Sequence, residues 1–356
     1  MRHRHGHVDI VVVGLGLAGA ALAWEAHAAG LELVIVDDGD HAAASRVAAG
    51  LVTPVTGRKL KPEAHFDAFA AAAVRHYRQV GDLTGVSAYV ERPALRMLST
   101  KQELGAWSAM GAAGSELVER WRRDMPAGIR DAGLPVWMPA AGRLAIADYV
   151  EATRKYFAAR ERFVATTLED ASIVLRDDAV EVPAIGGAAR HAVFCRGFRD
   201  AASAFFPEVR WRAAKGQILE LECPGFDSSY TVHGAGIWLT TDRDERLLAG
   251  ATYEWDALDA KVTPAARERL LSGIGALLAL PFAVVGQRAA VRPIVQGRKP
   301  VIGQSSRSDR LWLFNGLGSK GALFAPRLAA SLVSRIKEER SIPPAYCLRQ
   351  RFGGRT

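Results

Sequence analysis

The sequence predicts an α/β fold, on three observations. A short β-branched run, Val8–Val13, is followed by a glycine turn, an Ala-rich helical run, Ala20–Ala29, and a second apolar run, Leu33–Val36. The same succession returns near the C-terminus, where Leu311–Phe314 leads into Asn315–Gly321 and a helical pattern through about Lys337. Between them lie short β-rich runs separated by turn signals, the mark of a second, α+β part on a mostly antiparallel sheet. A chain of 356 residues leaves room for about two domains.

The N-terminus starts with a basic tail holding His3, His5 and His7. It reads as a disordered start, with a metal-binding tail as the other reading. Asp9 and the glycines argue against a signal peptide, and the run is read as strand, turn and helix. The turn, Gly14-Leu15-Gly16-Leu17-Ala18-Gly19, is a G-x-G-x-x-G. In that motif the first glycine permits the tight turn, the second lets backbone approach a pyrophosphate, and the third lets helix and strand pack closely. The N–H groups opening the helix then face the phosphate charge. Gly30 stands where a helix end wants a left-handed residue. Asp37, with Asp38 beside it, falls about 20 residues beyond the first glycine, where an acid accepts from a ribose 2′-OH. The motif alone leaves FAD and NAD equally open.

Ser45–Lys61 is rich in small residues and ends in Arg58-Lys59-Leu60-Lys61, suited to running past something flat or charged. Glu63–Val80 reads as a helix with Phe66, Phe69, Ala70, Ala73, Val74 and Tyr77 on one face. Gly81–Ala140 changes character and starts a second part, and Gly142–Ala158 returns to strand then helix. Phe163–Phe198 carries three β-rich runs. Lys215–Glu222, Gly236–Thr240 and Arg246–Thr252 read as strands, with Asp242–Glu245 a solvated hairpin tip. Thr263 caps a helix that opens on Pro264. The tail after Ser341 reads as loose.

Composition narrows the classes. The 46 basic and 38 acidic residues give a net charge of +8, which excludes an acidic disordered chain. That charge either attracts phosphate backbones or is scattered surface arginine, since only nine of the basic residues are Lys. Three separated cysteines, Cys195, Cys223 and Cys347, make no disulfide framework and suit a reducing cytoplasm. No Cys/His spacing suits a metal, and no apolar run approaches a membrane span.

In their order and spacing these blocks resemble the FAD-dependent D-amino acid oxidase/glycine oxidase superfamily. Val8–Asp37 resembles its FAD fingerprint, Ser45–Gly57 the segment running past pyrophosphate and flavin, and Gly142–Tyr156 the re-entry into the FAD domain. Lys215-Gly216-Gln217, Gly250–Glu254, Arg292-Pro293 with Pro300–Gly303, and Asn315–Gly321 resemble further family blocks. Gly316–Gly321 is similar to the turn in the oxidase domain of bifunctional tRNA wobble-uridine enzymes, and 356 residues hold only that oxidase part. Cys195-Arg196-Gly197 departs from the family's small residues, so altered packing near the nucleotide is expected.

The resemblance implies a Rossmann-like, GR2-type FAD domain, residues 1–85, 141–210 and 286–356, interleaved with a substrate domain, residues 86–140 and 211–285. It implies non-covalent FAD held by Gly14, Gly16, Leu17, Ala18, Gly19, Asp37, Asp38, Ser45, Arg46, Ala48, Ala49, Gly50, Leu51, Gly197, Asn315, Gly316, Leu317, Gly318, Ser319, Lys320 and Gly321. Arg292 is expected to pair with a substrate carboxylate, with Tyr253 and Trp238 walling the substrate. Lys320 is expected to face the flavin or a tRNA phosphate, or to be an exposed helix-start lysine, and Lys59 and Lys61 to favour reduced flavin or oxygen activation by positive charge. The implied reaction is oxidation of a C–N bond in an amino acid or secondary amine. The alternatives are the same chemistry on a tRNA wobble-uridine side chain, or a flavin-binding protein without turnover.

Overall fold

The computed structural model describes residues 6–40, 43–338 and 340–353, and of the histidine tail His3 and His5 lie outside them. The first run forms strand β1, His7–Val13, followed by helix α1, Leu17–Ala28, and strand β2, Leu33–Asp37. The two strands pair in parallel, with Ile10 opposite Leu33 and Val13 opposite Val36. Both are apolar along their length because both faces are covered. Ile10, Val12 and Ile35 enter one core cluster, and Val11, Val13 and Val34 the other.

The parallel core of this first sheet runs Phe163–Ala165, β2, β1, Gly187–Phe194, Leu311–Asn315. Val180–Val182 and Val301–Gln304 add antiparallel partners. Small residues let α1 lie close to its neighbours, and Ala20, Ala21 and Ala23 are fully buried. The helix Gly321–Glu338 shares their cluster through Ala325, Leu328 and Leu332. Helix Phe66–Thr84 buries Phe66, Phe69, Ala73 and Tyr77 as its periodicity requires. It also buries His76, which contacts Glu25 at 2.7 Å and the Tyr149 hydroxyl at 2.8 Å.

The second sheet runs Ala283–Arg292, Ala214–Glu222, Leu247–Gly250, Ile237–Thr241, Thr231–Gly234, Ala94–Leu98, Leu134–Met138, Glu119–Arg120. Its pairings are antiparallel except Thr231–Gly234 with Ala94–Leu98. The strand Ala283–Arg292 crosses the expected boundary at 286 and keeps its pairing to Arg292, opposite Ala214. One face is covered by the helix Pro264–Leu277, whose Leu270, Ile274 and Leu277 meet Leu219, Leu221 and Leu239. Thr263 caps that helix, its side chain accepting from the Ala266 N–H. The period of two puts Lys215, Gln217 and Leu219 on the helix side and Gly216, Ile218 and Glu220 on the other. Leu51–Val52, Gly142–Leu144 and Tyr89–Glu91 form a small third sheet.

Among the described residues, the tail after Ser341 is not loose. Leu348–Phe352 is helical, and Leu348 is buried. Arg351 donates to the carbonyls of Lys299, Pro300 and Gln296 at 2.9, 2.5 and 2.6 Å. A single guanidinium thus fills a carbonyl-rich turn, which no local periodicity announces. Among the described residues no helix is long and apolar enough to cross a membrane.

Candidate active site

Three loops meet at the C-terminal ends of β1 and Leu311–Asn315. The Gly14–Gly19 loop comes first. A Cβ on Gly19 would lie 1.9 Å from the Gly14 carbonyl oxygen, so only glycine permits this turn. The second loop holds the short helix α2, Ala44–Val47, and the Ser45 hydroxyl accepts from the Leu17 N–H at 2.9 Å. Next in line, Leu144 N–H donates to Gly50 O at 2.9 Å, pinning the Ala48–Leu51 backbone to Gly142–Leu144. The third loop is Asn315–Gly321, where a Cβ on Gly321 would lie 2.8 Å from the Leu17 side chain.

These residues fit a dinucleotide pyrophosphate. The first intrahelical bond of α1 is Ala20 N–H to Gly16 O, so the amides of Ala18 and Gly19 open the helix ahead of it. Asp37 stands at the end of β2, accepting from the Leu15 and Gly39 amides at 2.7 and 2.8 Å. Asp38 is engaged differently. Arg199 and Thr167 donate to it at 2.6 and 3.0 Å. Burial opposes its ionisation, but those donors prevail and hold the carboxyl below its usual range. Asn315 pins the third loop: its amide nitrogen donates to Gly197 O and Asp200, and its oxygen accepts from the Gly316 N–H. Arg196, the unusual residue before Gly197, donates to the same Asp200 at 2.7 Å. Cys195 is buried against the Gly14 loop, and burial pushes its thiol up.

The residues expected to meet the substrate lie on the second sheet and the segment that follows it. Arg288, Ala290 and Arg292 alternate onto the face that meets α2, where Val47, Ile218 and Ala290 form a small apolar cluster with half-buried Trp238. Arg292 lies flat over Gly216, whose added Cβ would stand 2.1 Å from the guanidinium nitrogens. Its other side stacks on Tyr253, 4.2 Å from the ring centroid. One N–H donates to Thr252 O at 3.1 Å. Burial pulls Arg292 below the usual arginine range, against the opposing pull of Tyr253 and Glu254, and a guanidinium remains charged throughout. Tyr253 keeps 43% of its surface exposed, beside exposed Trp255. Pro293 O accepts from the Gly318 N–H at 3.1 Å, tying the residue after Arg292 to the third loop.

The structure brings Arg292 and Tyr253 together and sets Lys320 in the third loop. Its ammonium pairs with Glu63 at 2.9 Å rather than standing as an unpaired cation. Lys59 and Lys61 are exposed. Sequence reasoning missed Gly216 as the seat of Arg292, although Lys215-Gly216-Gln217 is one of the segments that resemble the family. It also missed Arg288, which donates to Arg46 O at 3.1 Å and pairs with Glu220 at 2.6 Å. The alternation of Arg288 and Arg292 was the available signal.

Comparisons with known proteins agree with this fold. Glycine oxidase from Geobacillus kaustophilus matches with a TM-score of 0.81 at 20% identity, covering 95% of this chain and 96% of that one. Iminodiacetate oxidase from a Chelativorans species matches at 0.75 with 21% identity, covering 97% and 98%. Among curated sequences, the tRNA 5-methylaminomethyl-2-thiouridine biosynthesis bifunctional protein MnmC of Caulobacter vibrioides is 30% identical over 92% of this chain. The chain spans about half the length of the curated relatives it matches, 54% of that one. Residues 9–335 match the family described as DAO, FAD-dependent oxidoreductase. The chain therefore belongs to the DAO family and is an FAD-dependent oxidoreductase.

Proposed function

We propose that the protein oxidises the C–N bond of an amine that carries a carboxylate, an amino acid or a secondary amine. The observation that carries this reading is the seating of Arg292. Held between Gly216 and Tyr253, with one N–H on Thr252 O, the guanidinium is oriented before any ligand arrives. A planar fork of that kind suits a carboxylate bidentately. Bound FAD would supply the acceptor for a hydride from the carbon beside the nitrogen, leaving an imine that water would hydrolyse. The protein's part is orientation: Arg292 fixes the carboxylate, Trp238 and Tyr253 wall the substrate, and the three loops hold the cofactor. In this reading Gly14–Gly19, Asp37 and Asp38 take the adenosine and pyrophosphate end. Ser45–Leu51, Gly197 and the backbone of Asn315–Gly321 take the rest, without a covalent link.

A second reading rests on the exposed rim. Tyr253 and Trp255 stand 6.1 Å apart at the open edge, with Arg298 over Trp255. Aromatic and arginine faces of this kind can stack a base, so the amine would be borne on a tRNA wobble uridine. The similarity to MnmC supports it.

Anaerobic bleaching of the bound flavin tests both readings, with amino acids, N-alkylated glycines and hypomodified tRNA as substrates. Bleaching by free amines supports the first and by tRNA alone the second; no bleaching at all would refute both. Arg292→Ala should raise the KM for a carboxylate substrate about 10- to 100-fold while the protein stays yellow. Unchanged kinetics would remove Arg292 from the site.

A further inference from the structure

A cavity of about 230 Å³ opens between the small three-stranded sheet and the hairpin tip Asp242–Glu245. Arg92, Arg143, Arg243, Thr241, Asp242 and Glu245 line it. None of the residues assigned above to nucleotide or substrate does so. Thr241 stands three residues along its strand from Trp238, roughly 10 Å at the usual strand rise.

Arg143 is the unusual member. It sits on the central strand of the small sheet and is 6% exposed. Its Nε is buried without a partner, and among the described residues no hydrogen bond or ion pair closes on its guanidinium. Arg92 faces it, held by the Thr240 hydroxyl and by the hydroxyl and carbonyl of Thr241 at 2.6–3.1 Å. Two acids lie near enough to favour the Arg143 charge, Asp242 and Asp148, but neither closes an ion pair on it. Asp242 accepts from the Asp244 and Arg246 amides, each at 2.9 Å, and Asp148 pairs with Arg243 at 3.3 Å. A buried, unpaired guanidinium beside a second one is costly unless an anion joins them. Burial, with Arg92 and Arg243 adding to it, pulls Arg143 down to about 10 against the opposing pull of Asp242 and Asp148.

We propose that this cavity is a binding site for a phosphate-type oxyanion, gripped by Arg143, Arg92 and Arg243. Free phosphate and the phosphodiester of a nucleic acid share that chemistry. The site stands apart from Arg292 and does not depend on which amine is oxidised.

The test uses the flavin-loaded protein, so that the pyrophosphate loops are filled. Inorganic phosphate should raise the melting temperature more than chloride at matched ionic strength, and calorimetry should show saturable binding. Arg143→Met should abolish both effects. It should also melt higher than wild type without phosphate, because the unpaired charge is gone; a merely structural arginine would do the reverse. Arg243→Gln, at an exposed position, should weaken phosphate binding about tenfold. In a second arm, a short RNA hairpin displaced by phosphate and lost in Arg143→Met identifies the phosphodiester, whereas phosphate binding without RNA binding identifies a small anion. Equal effects of phosphate and chloride on wild type, or phosphate binding retained in both variants, would overturn the site.

Discussion

Single atoms decide the two ends of the candidate site. Gly216 has no side chain, and the Arg292 guanidinium occupies the space where one would be. Gly216→Ala should therefore act as an Arg292 variant: the guanidinium, a flexible far end, moves aside, and KM for a carboxylate substrate rises severalfold with FAD retained. A normal KM in Gly216→Ala would show that the guanidinium has another productive seat. Gly19 differs, because its added Cβ would strike backbone, the Gly14 carbonyl. Backbone cannot swing away, so Gly19→Ala should cost about 1–3 kcal/mol and yield protein lacking flavin, read from its visible spectrum. The glycine spacing of the first loop was legible because it is local chemistry within six residues. The partnership of Gly216 with Arg292 was not, because it depends on the register of two strands far apart in sequence. The same holds for Lys320, whose partner Glu63 belongs to a distant segment.

Elements follow their patterns where burial is periodic. The β-branched runs of the first sheet, the Phe66–Thr84 face and the Thr263 cap all correspond to what their sequences announce. The C-terminal segment does not, because its order comes from one arginine and three carbonyls rather than from a repeating apolar face. Arg351→Ala should release the Leu348–Phe352 helix and leave those carbonyls to water, at a cost of about 1–3 kcal/mol. Faster amide exchange at Leu348–Phe352, with unchanged exchange in β1, would be the signature; unaltered exchange would mean that Leu348 alone holds the helix.

Across the whole molecule, two histidines set an acid limit. Burial, with Arg310 and Arg190 adding to it, pulls His191 down to about 4; burial and Arg96 pull His233 down to about 3. His191 Nδ1 accepts from the Trp312 indole N–H at 3.2 Å, which requires an unprotonated nitrogen. Both folded values lie below the ordinary 6.5, so the unfolded chain takes up protons first as pH falls. Their contribution is fully present above pH 6.5 and is lost on acidification, by up to about 1.4 kcal/mol per pH unit for each ring. Urea denaturation should show lower stability at pH 5 than at pH 7, with a smaller difference in His191→Gln. Equal stability at the two values would contradict the neutral assignment.

The threading of the two large sheets bears on how the molecule comes apart. The exposed stretch 255–262 separates the chain into pieces that each contribute strands to both sheets: β1 and Ala214–Glu222 on one side, Leu311–Asn315 and Ala283–Arg292 on the other. A protease cut there severs one covalent bond but leaves every strand ladder zipped. The nicked protein should behave as two mutually templated halves, migrating as one yellow species in native gels and as two bands only in detergent. Neither half is a miniature of the whole, and neither could be inherited or expressed alone as a working flavoprotein.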